Sequence, residues 1–258
     1  MQLHFNNYQG TGNDFVLIDN RKGDINLTKE QVQFLCHRRF GIGADGLMLL
    51  NPHNTLDFTM VYYNSDGNTS TMCGNGGRCI VAFAKKIGAI IDKTTFEGID
   101  GTHDAIVNQD NTVSLKMIDV DTVEVNANYY YLNTGSPHYV EFVEDIEHYE
   151  VFAKGKAIRN NERFKAVGTN VNFVEPMADG IYVRTYERGV EDETYSCGTG
   201  VTASAISAGL HLNPLANSFN ITTFGGNLNV RFERKGNGFN NIWLSGPATH
   251  VFSGSINL

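Results

Sequence analysis

The chain has 258 residues, enough for one large domain or two small ones. It carries 20 basic and 28 acidic residues, a formal net charge of −8, which argues against nucleic acid and anionic membranes as partners because both attract clustered Lys and Arg. Apolar residues make up 41%, enough for a packed core, and no apolar run nears the roughly 18–20 residues of a membrane span; the densest, Ile80-Val81-Ala82-Phe83-Ala84, stops at Lys85. The first residues, Met1 to Asn7, have neither the basic nor the apolar region of a secretory signal, so a cytoplasmic protein is expected. Glycine and asparagine are in excess, with 27 Gly and 28 Asn.

Taken in chain order, strand-like segments dominate. Phe15-Val16-Leu17-Ile18, Gly46 to Leu50 and Phe58 to Tyr63 are short, aliphatic or aromatic, and bounded by Asn, Asp, Gly or Pro. Between the first two, Thr28 caps a helix with Gln31 in the capping-box place, and Val32, Leu35 and Cys36 share its inner face. A second helix runs from Arg78 to Ile87 and stops at Gly88. Strands follow at Thr112 to Met117, Tyr129 to Leu132 and Ile181 to Tyr186. A third helix, Val201 to Leu210, is full of Ala and Ser, the composition needed by a helix buried on all sides. Leu228 to Phe232 and Asn241 to Leu244 are the last strands read from pattern. Alternation of apolar and polar residues in several strands suits antiparallel sheet with one wet face.

The chain also repeats itself. Phe58 to Tyr63, the turn Asn64-Ser65-Asp66-Gly67 and then Cys73-Gly74-Asn75-Gly76 open one helix; Ile181 to Tyr186, the turn Glu187 to Asp192 and then Cys197-Gly198-Thr199-Gly200 open another. The fold class expected is therefore α/β (α+β) with two similar domains from one duplicated unit, residues 1–118 and 119–248.

Four cysteines occur, at 36, 73, 79 and 197, without the clustered pairs that zinc requires, so no metal site is expected. Cys36 and Cys79 sit in helical apolar patterns and read as small buried hydrophobes. Cys73 and Cys197 each precede Gly-x-Gly at a helix start. There, free backbone N–H groups and the positive end of the helix dipole favour a thiolate and form a nest for a substrate carboxylate. Two such thiols facing one carbon could invert a stereocentre: a thiolate on one face removes a proton and a thiol on the other returns one. Gly41 to Gly46 and Gly198 to Ala203 fit dinucleotide-type glycine patterns, but the first precedes a strand and the second lacks the acidic residue some 20 positions on.

Seven motifs occur in order: Gly10-Thr11-Gly12-Asn13-Asp14-Phe15, Gly41-Ile42-Gly43-Ala44-Asp45-Gly46, Asn64-Ser65-Asp66-Gly67, Met72-Cys73-Gly74-Asn75-Gly76-Gly77-Arg78-Cys79, Gly168-Thr169-Asn170-Val171-Asn172-Phe173, Tyr186-Glu187-Arg188-Gly189 and Ser196-Cys197-Gly198-Thr199-Gly200. Through them the chain resembles the diaminopimelate epimerase family over essentially its whole length. The resemblance implies two pseudo-symmetric domains, each a sheet or barrel wrapped round a central helix. It also implies an active site in the cleft between the domains and a last strand, about 249–258, returning to the first. The implied reaction is epimerisation of LL- to meso-diaminopimelate on the lysine and peptidoglycan route, without a cofactor, by a protein that is commonly a homodimer.

Cys73 and Cys197 are then the acid–base pair, with His138 and Glu187 tuning the thiols. Asn13, Asn64, Asn170, Glu187 and Arg188 match substrate-binding positions, and the backbones of Gly74, Asn75, Gly198 and Thr199 hold the carboxylate of the reacting carbon. Three departures stand out. Ser136 replaces a common Asn before Pro137-His138, Gly46 replaces Gln of some members, and the turn from Glu187 to Cys197 is a residue longer than in some. The alternatives are a proline or hydroxyproline racemase of the same fold, in which Cys-Gly-His is usual, a non-catalytic amino-acid-binding protein using the two nests, and a thiol redox protein, for which a Cys-x-x-Cys pair is missing.

Overall fold

The computed structural model describes residues 1–258. The elements run in the order β1 (Gln2–Gly10), β2 (Asn13–Asp19), α1 (Lys29–Cys36), β3 (Gly46–Asn51), β4 (Phe58–Asn64), α2 (Gly74–Lys86), β5 (Lys93–Gly98), β6 (Gly101–Val107) and β7 (Val113–Lys116). Then come β8 (Glu124–Val125), β9 (Tyr130–Asn133), β10 (Pro137–Phe142), α3 (Val151–Arg159), β11 (Asn170–Met177), β12 (Gly180–Glu187), β13 (Asp192–Thr194), α4 (Gly198–His211), β14 (Ser218–Thr223), β15 (Gly226–Lys235), β16 (Gly238–Gly246) and β17 (Thr249–Asn257). The chain forms two compact units: Met1–Leu115 with Gly246–Leu258, and Lys116–Ser245.

In the first unit, β17 pairs antiparallel with β1, and β1 antiparallel with β2. The sequence β2–β3 parallel, β3–β4 antiparallel, β4–β5 parallel, β5–β6 antiparallel and β6–β7 antiparallel completes it. In the second unit the run β8–β9–β10 is antiparallel, β10–β11 parallel, β11–β12 antiparallel, β12–β14 parallel, and β14–β15–β16 antiparallel. The two units thus share one pattern of strand directions, and β17 fills in the first the place that β8 holds in the second. Parallel neighbours cannot be joined by a hairpin and need a crossover. Each of the four parallel pairs has its helix: α1, α2, α3 and α4 in turn. The antiparallel pairing that the alternating strands suit is therefore found in most pairs, and parallel pairing occurs where a helix intervenes.

In each unit the second crossover helix lies at the centre. α2 packs against β1, β2, β3, β6 and β17, and α4 against β9, β10, β11, β12, β14 and β15. Surrounded by strands, α4 buries every residue from Gly200 to Gly209. Its small side chains permit that approach, and Thr202 and Ser204 satisfy their buried hydroxyls by donating to the carbonyls of Gly198 (2.9 Å) and Gly200 (2.8 Å). Both central helices begin earlier than the apolar pattern suggests, at Gly74 and Gly198, with Cys73 and Cys197 as their N-caps. The capping box of α1 is formed, Thr28 Oγ1 accepting from Gln31 N–H while Gln31 Oε1 accepts from Thr28 N–H.

The tight surround of α4 sets opposite expectations for two neighbouring positions. Ala205 is fully buried, so Ala205→Leu overpacks the unit and lowers stability by about 1–3 kcal/mol. Ser207 Oγ is buried without a hydrogen-bond partner, so Ser207→Ala raises it by about 1 kcal/mol. Urea unfolding midpoints measure both.

Candidate active site

The first unit gathers its candidate residues at one end of its sheet. Asn13 begins β2, Gly46 begins β3, and Asn64 ends β4 opposite Gly46 in the ladder. Beside them α2 starts at Cys73, which is extended (φ −101°, ψ 149°) and whose sulfur accepts from the backbone N–H of Gly76 at 3.2 Å. A sulfur that accepts at a helix N-terminus is favoured as thiolate by that hydrogen bond and by the dipole. No acidic residue lies in the first turn. Gly76 is constrained by space: a Cβ there would meet Met48 Cε at 2.3 Å and Cys73 Sγ at 3.2 Å.

Two polar constructions support this end. Asn13 donates from its side chain to Asp45, which also accepts from the backbone of Asp14 at 3.3 Å. Arg38 closes the group, binding Asp14 through both terminal nitrogens (3.0 and 2.7 Å) and Asp45 at 2.7 Å. Asn13 is neutral, but its carrier loop is held by a charged cluster.

The second construction is Arg78, one of the largest fully buried side chains. It faces four neutral acceptors: Gly74 O (3.1 Å), Asn75 Oδ1 (3.0 Å), Thr11 Oγ1 (3.1 Å) and Pro247 O (3.3 Å). It therefore ties the start of α2 to the loop before Asn13. Burial pulls its pKa down to about 10, so it remains a cation at neutral pH. Cys79, in the same helix and fully buried, is pushed up to about 12 by desolvation and stays a thiol; Cys36 behaves likewise.

At the position of the expected glutamine, Gly46 leaves no room for a side chain. A Cβ there would meet Tyr62 Cε2 at 2.5 Å and the Tyr63 carbonyl at 2.8 Å.

The second unit repeats the arrangement with other side chains. His138 near the start of β10 neighbours Asn170 at the start of β11, and Val171 neighbours Tyr186, which places Glu187 at the same end. Cys197, 8% exposed, caps α4 in extended backbone (φ −120°, ψ 114°). Its sulfur lies 3.5 Å from Thr199 Oγ1 rather than taking a cap hydrogen bond. Thr199 Oγ1 is 2.9 Å from His138 Nε2, and Thr134 Oγ1 donates to the Thr199 carbonyl at 2.8 Å. His138 is fully buried, and desolvation, helped by the charge of Arg188, pushes its pKa down to about 3. It is a neutral imidazole.

Asn170, Ser136 and Arg188 form one cluster. Asn170 Oδ1 accepts from the Arg188 backbone N–H (2.9 Å), and its amide nitrogen donates to Ser136 Oγ (2.9 Å). The Arg188 guanidinium donates to the Val167 carbonyl (3.1 Å) and to Ser136 Oγ (3.4 Å). Gly168, at φ +81°, makes the space, since a Cβ there would meet Arg188 Cδ at 2.6 Å. After Glu187 the chain turns tightly to β13, where Gly189 and Glu191 both have positive φ and β13 pairs back onto β12. Asn172, in the same motif as Asn170, was not singled out by sequence; its amide reaches His138 Nδ1 at 3.1 Å. An Asn inside a strand carries no sign of which neighbour it orients.

The chain matches the family model described as diaminopimelate epimerase over residues 5–123 and 130–251. The diaminopimelate epimerase of Flavobacterium psychrophilum is 50% identical over 254 residues, covering 96% of this chain and 98% of that protein. The protein of the same name from Chlorobaculum tepidum is 44% identical, covering 96% and 99%. The chain belongs to the diaminopimelate epimerase family. Solved structures share the fold of this family member at low identity. A Bacillus anthracis phenazine biosynthesis protein of the PhzF family has a TM-score of 0.80 at 12% identity, covering all of both chains. A hydroxyproline epimerase from Agrobacterium vitis has 0.69 at 15%, covering 99% and 92%.

The lowered pKa of His138 has a defined consequence for stability. In the unfolded chain the ring takes a proton near pH 6.5; in the folded protein it does so only near 3. The unfolded state binds the extra proton in between, so the contribution is full above about pH 6.5 and is lost as pH falls toward 3. The His138 ring resonances, followed by NMR, are expected to stay unchanged from pH 8 to 5. A midpoint near 6.5 would contradict the buried neutral ring.

Proposed function

We propose that this protein interconverts LL- and meso-diaminopimelate without an organic cofactor, using Cys73 and Cys197 as its acid and base. The observation that carries the reading is that one construction occurs twice: an extended cysteine at the N-cap of a buried helix whose first turn lacks acidic residues. Close relatives named diaminopimelate epimerase, matched over almost their whole length, support the substrate.

The proton balance is simple. One cysteine, as thiolate, takes the α-hydrogen of the substrate and becomes a thiol. The other, as thiol, delivers its hydrogen to the opposite face of the same carbon and becomes a thiolate. Between these events the α-carbon carries negative charge delocalised into its carboxylate. Backbone N–H groups of Gly74 and Asn75, and of Gly198 and Thr199, are placed at the positive helix ends to stabilise it. Asn13, Asn64, Asn170, Glu187 and Arg188 bind the rest of the substrate, Arg188 suiting the distal carboxylate by its planar fork. His138 and Glu187 tune the thiols, His138 acting as a neutral group. All four cysteines are free, and a mechanism on two open thiols needs a reducing compartment, in keeping with action in the cytoplasm.

The decisive experiment incubates the reduced protein with LL-diaminopimelate in deuterium oxide without pyridoxal phosphate. Meso product with deuterium at the inverted carbon is expected; absence of both overturns the reading. Proline and trans-4-hydroxyproline, tested in parallel, are expected to give no turnover. Cys73→Ala and Cys197→Ala are each expected to lower kcat by roughly 10²–10⁴-fold or more, measured by coupled assay of the meso isomer. Full activity of either variant would exclude the two-base scheme.

A further inference from the structure

We infer that Asn172 is a positioning residue that holds His138 as the Nε2–H tautomer, so that His138 and Thr199 together direct a hydroxyl hydrogen at the Cys197 sulfur. This rests on the reading of Cys197 as an acid–base group, and it adds a residue to which neither the family motif nor the substrate contacts assign a part.

The directions of the hydrogen bonds at Asn172 and His138 follow from what each neighbour can give or accept. Asn172 is fully buried, and its side-chain nitrogen lies 2.9 Å from the Tyr139 carbonyl oxygen. A carbonyl only accepts, so the NH₂ side of the amide must face it. The opposite side, Oδ1, receives the hydroxyl of Thr185 at 2.9 Å. With the amide orientation fixed, its second N–H points at His138 Nδ1, 3.1 Å away. That ring nitrogen must therefore be the unprotonated one.

A neutral imidazole carries one proton, which is then on Nε2. Nε2–H donates to Thr199 Oγ1 at 2.9 Å. Thr199 has a single hydroxyl hydrogen, and the other neighbour of its oxygen is Cys197 Sγ at 3.5 Å, which in its thiolate form can only accept. The run Thr185, Asn172, His138, Thr199, Cys197 is thus a one-way series of donors, each polarising the next, ending on the sulfur. A hydrogen bond given to sulfur favours the thiolate. His138 does not remove the thiol hydrogen in this arrangement; it strengthens the donor that stabilises the anion left behind.

The surrounding sequence makes room for this device. A Cβ on Gly200 would meet Asn172 Oδ1 at 2.4 Å, so the second glycine of Cys197-Gly198-Thr199-Gly200 lets the amide lie under the first turn of α4. The matching glycine of the first unit, Gly76, makes room for Met48 instead. The relay belongs to Cys197 alone.

The test uses the full-length protein labelled with ¹⁵N-histidine, His138 being assigned by the resonances that vanish in His138→Gln. The wild-type ring is expected to show hydrogen on Nε2 and none on Nδ1; hydrogen on Nδ1 at neutral pH overturns the proposal without reference to activity. Asn172→Asp reverses the polarity of the contact and is expected to bring hydrogen onto Nδ1. Asn172→Leu and Thr199→Val each lower kcat about 10–100-fold, the value of one hydrogen bond to an anion, with KM little changed. Because the equilibrium constant is fixed, kcat/KM falls equally in both directions.

Alkylation by iodoacetamide, resolved by peptide mass, slows at Cys197 while Cys73 keeps its wild-type rate. Thr199→Ser restores the hydroxyl and is expected to exceed Thr199→Val in both kcat and Cys197 alkylation. Wild-type alkylation of Cys197 in Thr199→Val, or equal rates for the Val and Ser variants, overturns the relay even if the Asn172 variants do not fold. Should the protein fail to epimerise diaminopimelate, the tautomer and the alkylation rates still decide the proposal.

Discussion

A helix that starts inside a folded unit leaves its first N–H groups without carbonyl partners from its own backbone. Everything at these two sites follows from that deficit. α2 and α4 begin in the interior at an extended cysteine, and neither carries an acidic residue in its first turn to cancel the exposed positive end. The glycines that follow keep the backbone uncovered. Holding such a helix among strands favours small side chains: α4 is mostly Ala, Ser, Gly and Thr, and strands crowd it on nearly every side. The crossovers that place the helices there require parallel strand pairs, and these interrupt an otherwise antiparallel fold.

The duplicated scaffold carries unlike electrostatics. Five residues after Cys73 stands Arg78; five after Cys197 stands Thr202. Each donates to the carbonyl of the glycine beside its cysteine, Gly74 at 3.1 Å and Gly198 at 2.9 Å. One nest is therefore backed by a buried cation whose partners are all neutral, the other by a hydroxyl in a neutral network. A guanidinium is costly to bury, and four acceptors offset that cost without cancelling its charge. The sulfur of Cys73 rests on a backbone N–H, that of Cys197 beside a threonine hydroxyl. In the proposed mechanism, the two thiols that exchange acid and base roles are therefore stabilised by different means.

Much of this was legible in the sequence because the signals were local. The Thr28 capping box, the paired Cys-Gly-x-Gly motifs and the small-residue helix each state their structure in a few adjacent residues. The motif order reached the family and the candidate residues. Elements without a local signature went unread. Val151–Arg159 lacks a clear cap and buries only Val151 and Gly155, so its helical period is faint. Ser218–Thr223 is Ser, Asn and Thr for most of its length and is a strand because its neighbours β12 and β15 make it one. Asn172 and Arg78 could not be assigned either, since what they do depends on residues 34 to 169 positions away: His138 for Asn172, and Thr11 and Pro247 for Arg78. Gly46 reads as a lost side chain until Tyr62 is seen filling its place.

The strand β17 has a consequence for synthesis. It pairs with β1 along nearly the whole length of both, and the amino group of Met1 donates to the carbonyl of Leu258 at 2.6 Å. Residues 116–245 are continuous and have all their partners once Ser245 has left the ribosome. The first unit, although translated first, lacks a strand until the final dozen residues emerge. Vectorial synthesis therefore cannot complete the N-terminal unit first: its sheet closes only after the second unit has been made. Until then the edge of β1 that β17 covers has no strand partner, and an open β edge is a template for pairing with other chains.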